Sequence, residues 1–160
     1  MLERSPPASV APIIFLFTGE GAHSAESAAA VDALKSTAAY ALVDAALQRL
    51  GPRSLDQLFT ESLGRHTAPL SPLVTTAINI LNYERWRAVG REATFVVGHS
   101  IGEVAAAYAA ELLTLDQALA VAHALGVAGL QLSGAMLQTR LTDDMLRSWR
   151  PEEQDGLCVA

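Results

Sequence analysis

The sequence predicts an α/β fold built on a parallel sheet. Two apolar runs rich in strand-forming residues, Pro12-Ile-Ile-Phe-Leu-Phe-Thr18 and Phe95-Val96-Val97, stand far apart with a long interval of helical periodicity between them. Both runs are continuously apolar, the pattern of parallel strands covered on both faces. The second run passes through Gly98-His99-Ser100-Ile101-Gly102 directly into the helix-forming Glu103-Val104-Ala105-Ala106-Ala107-Tyr108. That order is strand, tight turn, helix.

Taken in order, residues 1–11 form a flexible lead, because they lack the ordered basic, apolar and cleavage regions of a signal peptide. The strand at Pro12 to Thr18 is broken by Gly19-Glu20-Gly21 and should lie beside the strand ending at Gly98. From Ser24 to Leu50 the Ala-rich chain places Val31, Leu34, Ala38, Ala41, Leu42, Ala45 and Leu50 at roughly helical spacing, predicting one long helix or two short ones ended by Gly51-Pro52. Ser54 to Leu63 is a short helix and residues 64–69 a loop. Ser71-Pro72 has serine as N-cap and proline at the first helical position, with Val74, Ala77, Ile78, Leu81 and Trp86 as the apolar face that follows. Beyond the serine turn, Thr114-Leu-Asp-Gln117 is a capping box opening a helix through Ala118, Leu119, Val121, Ala122 and Leu125, which Gly126 and Gly129 loosen. Gly134 to Leu141 alternates as a strand, Thr142 begins a short helix, and Leu157 to Ala160 starts another strand.

Composition narrows the function. Of 160 residues 51% are apolar and 18% charged, which excludes a disordered polymer. A net charge of −6 with scattered basic residues argues against a nucleic-acid partner. No apolar run reaches the length of a spanning helix, so no membrane partner is expected. The single cysteine, Cys158, permits no internal disulfide and no metal cluster, in keeping with a reducing, cytoplasmic setting.

The chemistry concentrates at Ser100. Glycines two positions before and after it relieve collisions with the neighbouring strand and helix, and lift the serine clear as a nucleophile elbow. At the helix N-terminus the backbone N–H of Ile101 is placed to stabilise an oxyanion. A plain Gly/Ser turn would give the same five residues, but the flanking strand and helix support the elbow. The longer string Gly98-His-Ser-Ile-Gly-Glu103 followed by Val-Ala-Ala-Ala-Tyr resembles the acyltransferases of fatty acid and polyketide synthesis, the malonyl-CoA:acyl carrier protein transacylase family. Phe17-Thr-Gly-Glu-Gly-Ala22 is similar to that family's other signature, in which Gln stands where this chain has Glu20.

The resemblance spans about Pro12 to Ala160, roughly the N-terminal half of a complete acyltransferase. It implies a three-layer, hydrolase-like parallel-sheet core over residues 12–133 and the beginning of a ferredoxin-like subdomain over 134–160. It also implies acyl transfer from coenzyme A through an acyl-serine at Ser100 to the phosphopantetheine thiol of an acyl carrier protein, with no bound cofactor. The oxyanion hole would use the backbone N–H of Glu20 and of Ile101, and Gly19, His99 and Leu125 would border the substrate. The family's general-base histidine lies beyond this chain and would come from a second chain or adjoining domains. His23 and His66 are loop histidines, His123 lies on a helix, and the side chain of His99 is expected to point away from the serine.

Three positions depart from the family. Glu20 brings a carboxylate to the oxyanion loop, where it must turn to solvent, meet a cation or stay protonated. Ser71 replaces a Gln that lines the family's site. Leu125 occupies the slot of the arginine that binds malonyl carboxylates, and no Arg or Lys occurs from Gly102 to Thr139. An acyltransferase that is not malonyl-selective is therefore the first reading. A degenerate acyltransferase-like module serving as scaffold is the second, and a serine esterase of α/β-hydrolase type the third.

Overall fold

Ile14, Phe15, Leu16 and Phe17 pair in parallel with Phe95, Val96, Val97 and Gly98, in that register. These strands, β1 (Ile14–Phe17) and β2 (Phe95–Gly98), form a two-stranded sheet. The computed structural model describes residues 11–21, 31–62, 69–132, 140 and 142–148. Between the strands run α1 (Ala38–Leu50), α2 (Leu55–Ser62) and α3 (Leu70–Ala88); after them come α4 (Gly102–Ala109), α5 (Leu115–Gly129) and α6 (Asp143–Arg147).

The helix starts follow local chemistry. Thr37 caps α1 by accepting from Tyr40 N–H at 3.2 Å. Ser54 and Gln57 form a reciprocal box at α2: Gln57 N–H donates to Ser54 Oγ at 3.2 Å and Ser54 N–H to Gln57 Oε1 at 2.9 Å. The box read at Thr114 and Gln117 is formed in full at the start of α5. Thr142 Oγ1 accepts from Met145 N–H at 3.3 Å, opening the short helix expected there.

Several packing faces differ from the sequence reading. Ala39, Val43, Ala46 and Leu47 are the buried residues of α1, whereas Ala38, Ala41, Leu42, Ala45 and Leu50 are exposed. The chain turns between residues 33 and 36 and restarts at the Thr37 cap, so the phase carried from Val31 and Leu34 is reset. In α3 the N-cap is Pro69, and Ser71 lies inside the first turn, fully buried, with its Oγ unpartnered. Trp86 is 48% exposed rather than part of the core. Gly126 is a contact point and not a loosened turn: a Cβ there would come 2.2 Å from the Pro69 carbonyl oxygen, so its absence lets α5 close against the start of α3.

The core lies between the helices and one side of the sheet. Val43, Leu55, Val74, Ala77, Ile80, Leu81, Ala105 and Leu119 are fully buried. Tyr83 of α3 meets Phe15 and Phe17 edge-on, with ring centroids 5.2 and 6.0 Å away, and Tyr108 of α4 at 6.3 Å. Both helices therefore cover the Phe15 and Phe17 side. On the other face Ile14, Leu16, Phe95 and Val97 remain 50–71% exposed. The two-sided burial expected of the strands is thus one-sided among the described residues, which form two layers and supply no third. The strands expected at 134–141 and 157–160 lie outside the described residues, apart from Arg140.

Candidate active site

Ser100 stands where β2 turns into α4, with φ at +54°. This left-handed conformation costs an ordinary residue roughly 1–2 kcal/mol and needs support from its surroundings. The support is steric and hydrogen-bonded. A Cβ on Gly98 would fall 2.4 Å from the Glu103 backbone nitrogen and α-carbon, and one on Gly102 would fall 2.5 Å from Phe17 O and 2.7 Å from Thr18 O. Backbone bonds from Gly102 N–H to His99 O and from Glu103 N–H to Ser100 O, both 2.9 Å, wind the turn into the helix. Ser100 itself is exposed.

The same contacts bring the loop after β1 to this turn. His99 N–H donates to Phe17 O at 3.0 Å, extending the sheet by one bond. Gly19 is buried, and a Cβ on it would lie 2.7 Å from Nδ1 of His99. The imidazole is therefore turned onto the glycine loop, a contact the sequence did not foretell. Glu20 is exposed, satisfying the first of the conditions set for a carboxylate at that position.

Asn79 is a residue the sequence reading missed. From α3 its Nδ2 donates to the Thr18 carbonyl at 2.9 Å, and its Oδ1 accepts from Thr18 Oγ1 at 3.3 Å. A polar side chain set among Ala77, Ile78, Ile80 and Leu81 was the available signal. Asn79 also borders a cavity of about 360 Å³ lined by Phe15, Thr18, Ile78, Tyr83 and Trp86, among others. Ser100 is not among the residues lining it.

None of the contacts above involves Leu125, His23, His66 or His123. Leu125 is half exposed on α5, whose buried residues are Ala118, Leu119, Ala122 and Gly126. His123 borders a separate groove of about 220 Å³ with Leu47, Leu58, Pro69 and Leu73. His23 and His66 fall outside the described residues. Behind the turn, Tyr108 Oη donates to Glu84 Oε1 at 2.8 Å, and Arg87 approaches the same oxygen at 3.3 Å. Burial, and then this bond, raise the Tyr108 phenol above its ordinary range. Among the described residues no group of three His, Cys, Asp or Glu is arranged to hold a metal, and no helix is long and apolar enough to cross a membrane.

Known proteins resemble this chain over most of its length. Residues 14–158 match the acyl transferase domain family. The chain is 34% identical over 173 residues to the pikromycin polyketide synthase component PikAII of Streptomyces venezuelae, covering 99% of this chain and 4% of that protein. It is 34% identical over 140 residues to a highly reducing polyketide synthase of Aspergillus sclerotiorum, covering 78% of this chain and 5% of the relative. It is 32% identical over 124 residues to a non-reducing polyketide synthase of a Nectria species, covering 73% and 6%. This chain thus corresponds to a small part of each multidomain relative. A glycine-flanked, left-handed serine between strand and helix, with a family match over almost the whole chain, makes this chain a member of the acyltransferase domain family of polyketide synthases.

Proposed function

We propose that Ser100 is the nucleophile of a ping-pong acyl transfer. Ser100 Oγ attacks the carbonyl of an acyl-CoA thioester, the carbon–sulfur bond breaks, and coenzyme A leaves as its thiol with the serine's proton. The phosphopantetheine thiol of an acyl carrier protein then attacks the acyl-serine, and the ester bond breaks as the proton returns to Ser100. The observation that carries this reading is the +54° φ of Ser100 between two glycines whose Cβ positions are taken by backbone atoms. Strain held by such packing favours a positioned nucleophile over a passive turn.

In this reading the N–H groups of Glu20 and Ile101 stabilise the oxyanion, and Gly19, His99 and Leu125 border the acyl group. The general base, as the resemblance implies, is a histidine from an adjoining domain or second chain; of the described histidines, His99 packs against Gly19 and His123 lines another groove. The setting is cytoplasmic, and no cofactor stays bound. The departures at Glu20, Ser71 and Leu125 favour one competing reading, a catalytically silent acyltransferase-like scaffold. The two are separated by intact-mass measurement of the chain with acyl-CoA, comparing it with Ser100→Ala. Slow single acylation that disappears in the variant is expected, and no adduct at any concentration would leave the scaffold.

A further inference from the structure

The backbone between β1 and Gly19 is gripped from three directions. The Thr18 carbonyl accepts from Asn79 Nδ2 at 2.9 Å and borders the space a Gly102 Cβ would fill, 2.7 Å from it. One residue on, Gly19 lies under the His99 imidazole. Two of these contacts come from the serine turn itself, but Asn79 reaches in from α3, 61 positions away in sequence. It holds the carbonyl and the hydroxyl of Thr18 at once, since its Oδ1 accepts from the hydroxyl at 3.3 Å. The hydroxyl and carbonyl of one residue, held by one side-chain amide, fix how the chain leaves the strand.

We propose that Asn79 is a positioning residue for acyl activation. By anchoring Thr18 it holds the Gly19–Glu20 backbone donor at the distance from Ser100 that a developing oxyanion requires. The inference rests on the acyl-transfer reading, in which that backbone N–H is one of two donors. A donor acts on the transition state only while aimed at the oxyanion, so a small release of the loop lowers acylation without altering access to residue 100. A merely structural tie between β1 and α3 predicts no such separation.

The test uses the full chain carrying Ser100→Cys and Cys158→Ser, so that the nucleophile is a single thiol independent of an external base. Acylation by p-nitrophenyl acetate forms an oxyanion, whereas alkylation by iodoacetamide forms none, and the ratio of the two rates isolates oxyanion stabilisation. Adding Asn79→Ala is expected to lower the ratio roughly tenfold or more, a fraction of the 10²–10³ seen when a donor is removed outright. Asn79→Asp preserves size and the acceptor for the Thr18 hydroxyl but loses the N–H donor, and it decides the matter if the alanine variant does not fold. An unchanged ratio with Asn79→Asp, or an equal change in both reactions, overturns the role of Asn79 alone. A parent thiol acylated no faster, relative to its alkylation, than free cysteine overturns the acyl-transfer reading and the inference with it.

Discussion

The imidazole of His99 rests on the α-carbon of Gly19: a Cβ there would come 2.7 Å from Nδ1 and 3.1 Å from the His99 carbonyl oxygen. The residue before the proposed nucleophile thus sets the space available to the proposed oxyanion loop. Gly19→Ala should cost about 1–3 kcal/mol through overpacking, and adding His99→Ala should recover only part of it, because the carbonyl contact remains. Urea denaturation of the two single variants and the double variant measures that coupling.

Gly98 and Gly102 meet backbone atoms, which cannot swing aside as a side chain can. Alanine at either should destabilise the chain by about 3 kcal/mol or more. Gly51 has nothing within 4 Å of its Cβ position and an extended φ of −169°, so Gly51→Ala should be neutral or gain up to about 1 kcal/mol. Thermal denaturation of all three variants under one set of conditions checks the contrast.

Ser100→Gly relieves left-handed strain worth roughly 1–2 kcal/mol against an entropic cost of about 0.5–1 kcal/mol. The variant should be as stable as the parent or slightly more stable, yet take no acyl label. Ser100→Ala should also resist labelling but gain no stability. A glycine variant clearly less stable than the alanine one would contradict the strain at this turn.

How much of this was legible in the sequence depends on the range of the interaction. The Ser100 turn and the Thr114 box are local, and their spacing alone predicts them. The apolar face of α1 was misassigned because a turn at residues 33–36 resets the helical phase, and alanines mark a face too weakly to show it. Ser71 lost the cap to Pro69, and Gly126 proved to be a helix contact, because both depend on how α3 meets α5. Asn79 and the His99 imidazole were hidden because they meet Thr18 and Gly19, far away in sequence. Their partners are known only once the strands are paired.

Leu125 is half exposed, and the family resemblance assigns it the slot of the carboxylate-binding arginine. In an active assembly that buries this position, a malonyl carboxylate held there would lack its cation, a penalty of several kcal/mol, while an uncharged chain gains roughly 0.8 kcal/mol per buried methylene. Butyryl-CoA should therefore outcompete malonyl-CoA for Ser100, and Leu125→Arg should shift the preference toward malonyl. Preferential malonyl loading of the unmodified protein would overturn this selectivity.

Tyr108 has its folded-state pKa raised above the unfolded value, first by burial and then by its bond to Glu84. The folded chain holds that proton more tightly, so the contribution is fully present below about pH 10, the ordinary tyrosine pKa, and is lost as pH rises from there. Stability should fall with alkalinity above that point. Tyr108→Phe should flatten the decline while costing about 1–2 kcal/mol at neutral pH, where the hydrogen bond is lost. Urea titrations between pH 7 and 11 measure both effects.

The parallel pairing of β1 with β2 also has a kinetic meaning. Ile13 N–H reaches Thr94 Oγ1 across 81 positions, so the sheet cannot close until α1 to α3 have been traversed. Helices form in about a microsecond, whereas contacts this distant must first overcome the entropy of closing a long loop. During synthesis Phe17 waits for Gly98 to leave the ribosome. The crowded turn at Ser100, which needs the Phe17 and Thr18 carbonyls against Gly102, is therefore completed late, and changes that weaken α3 should slow its assembly even where the finished geometry is unaltered.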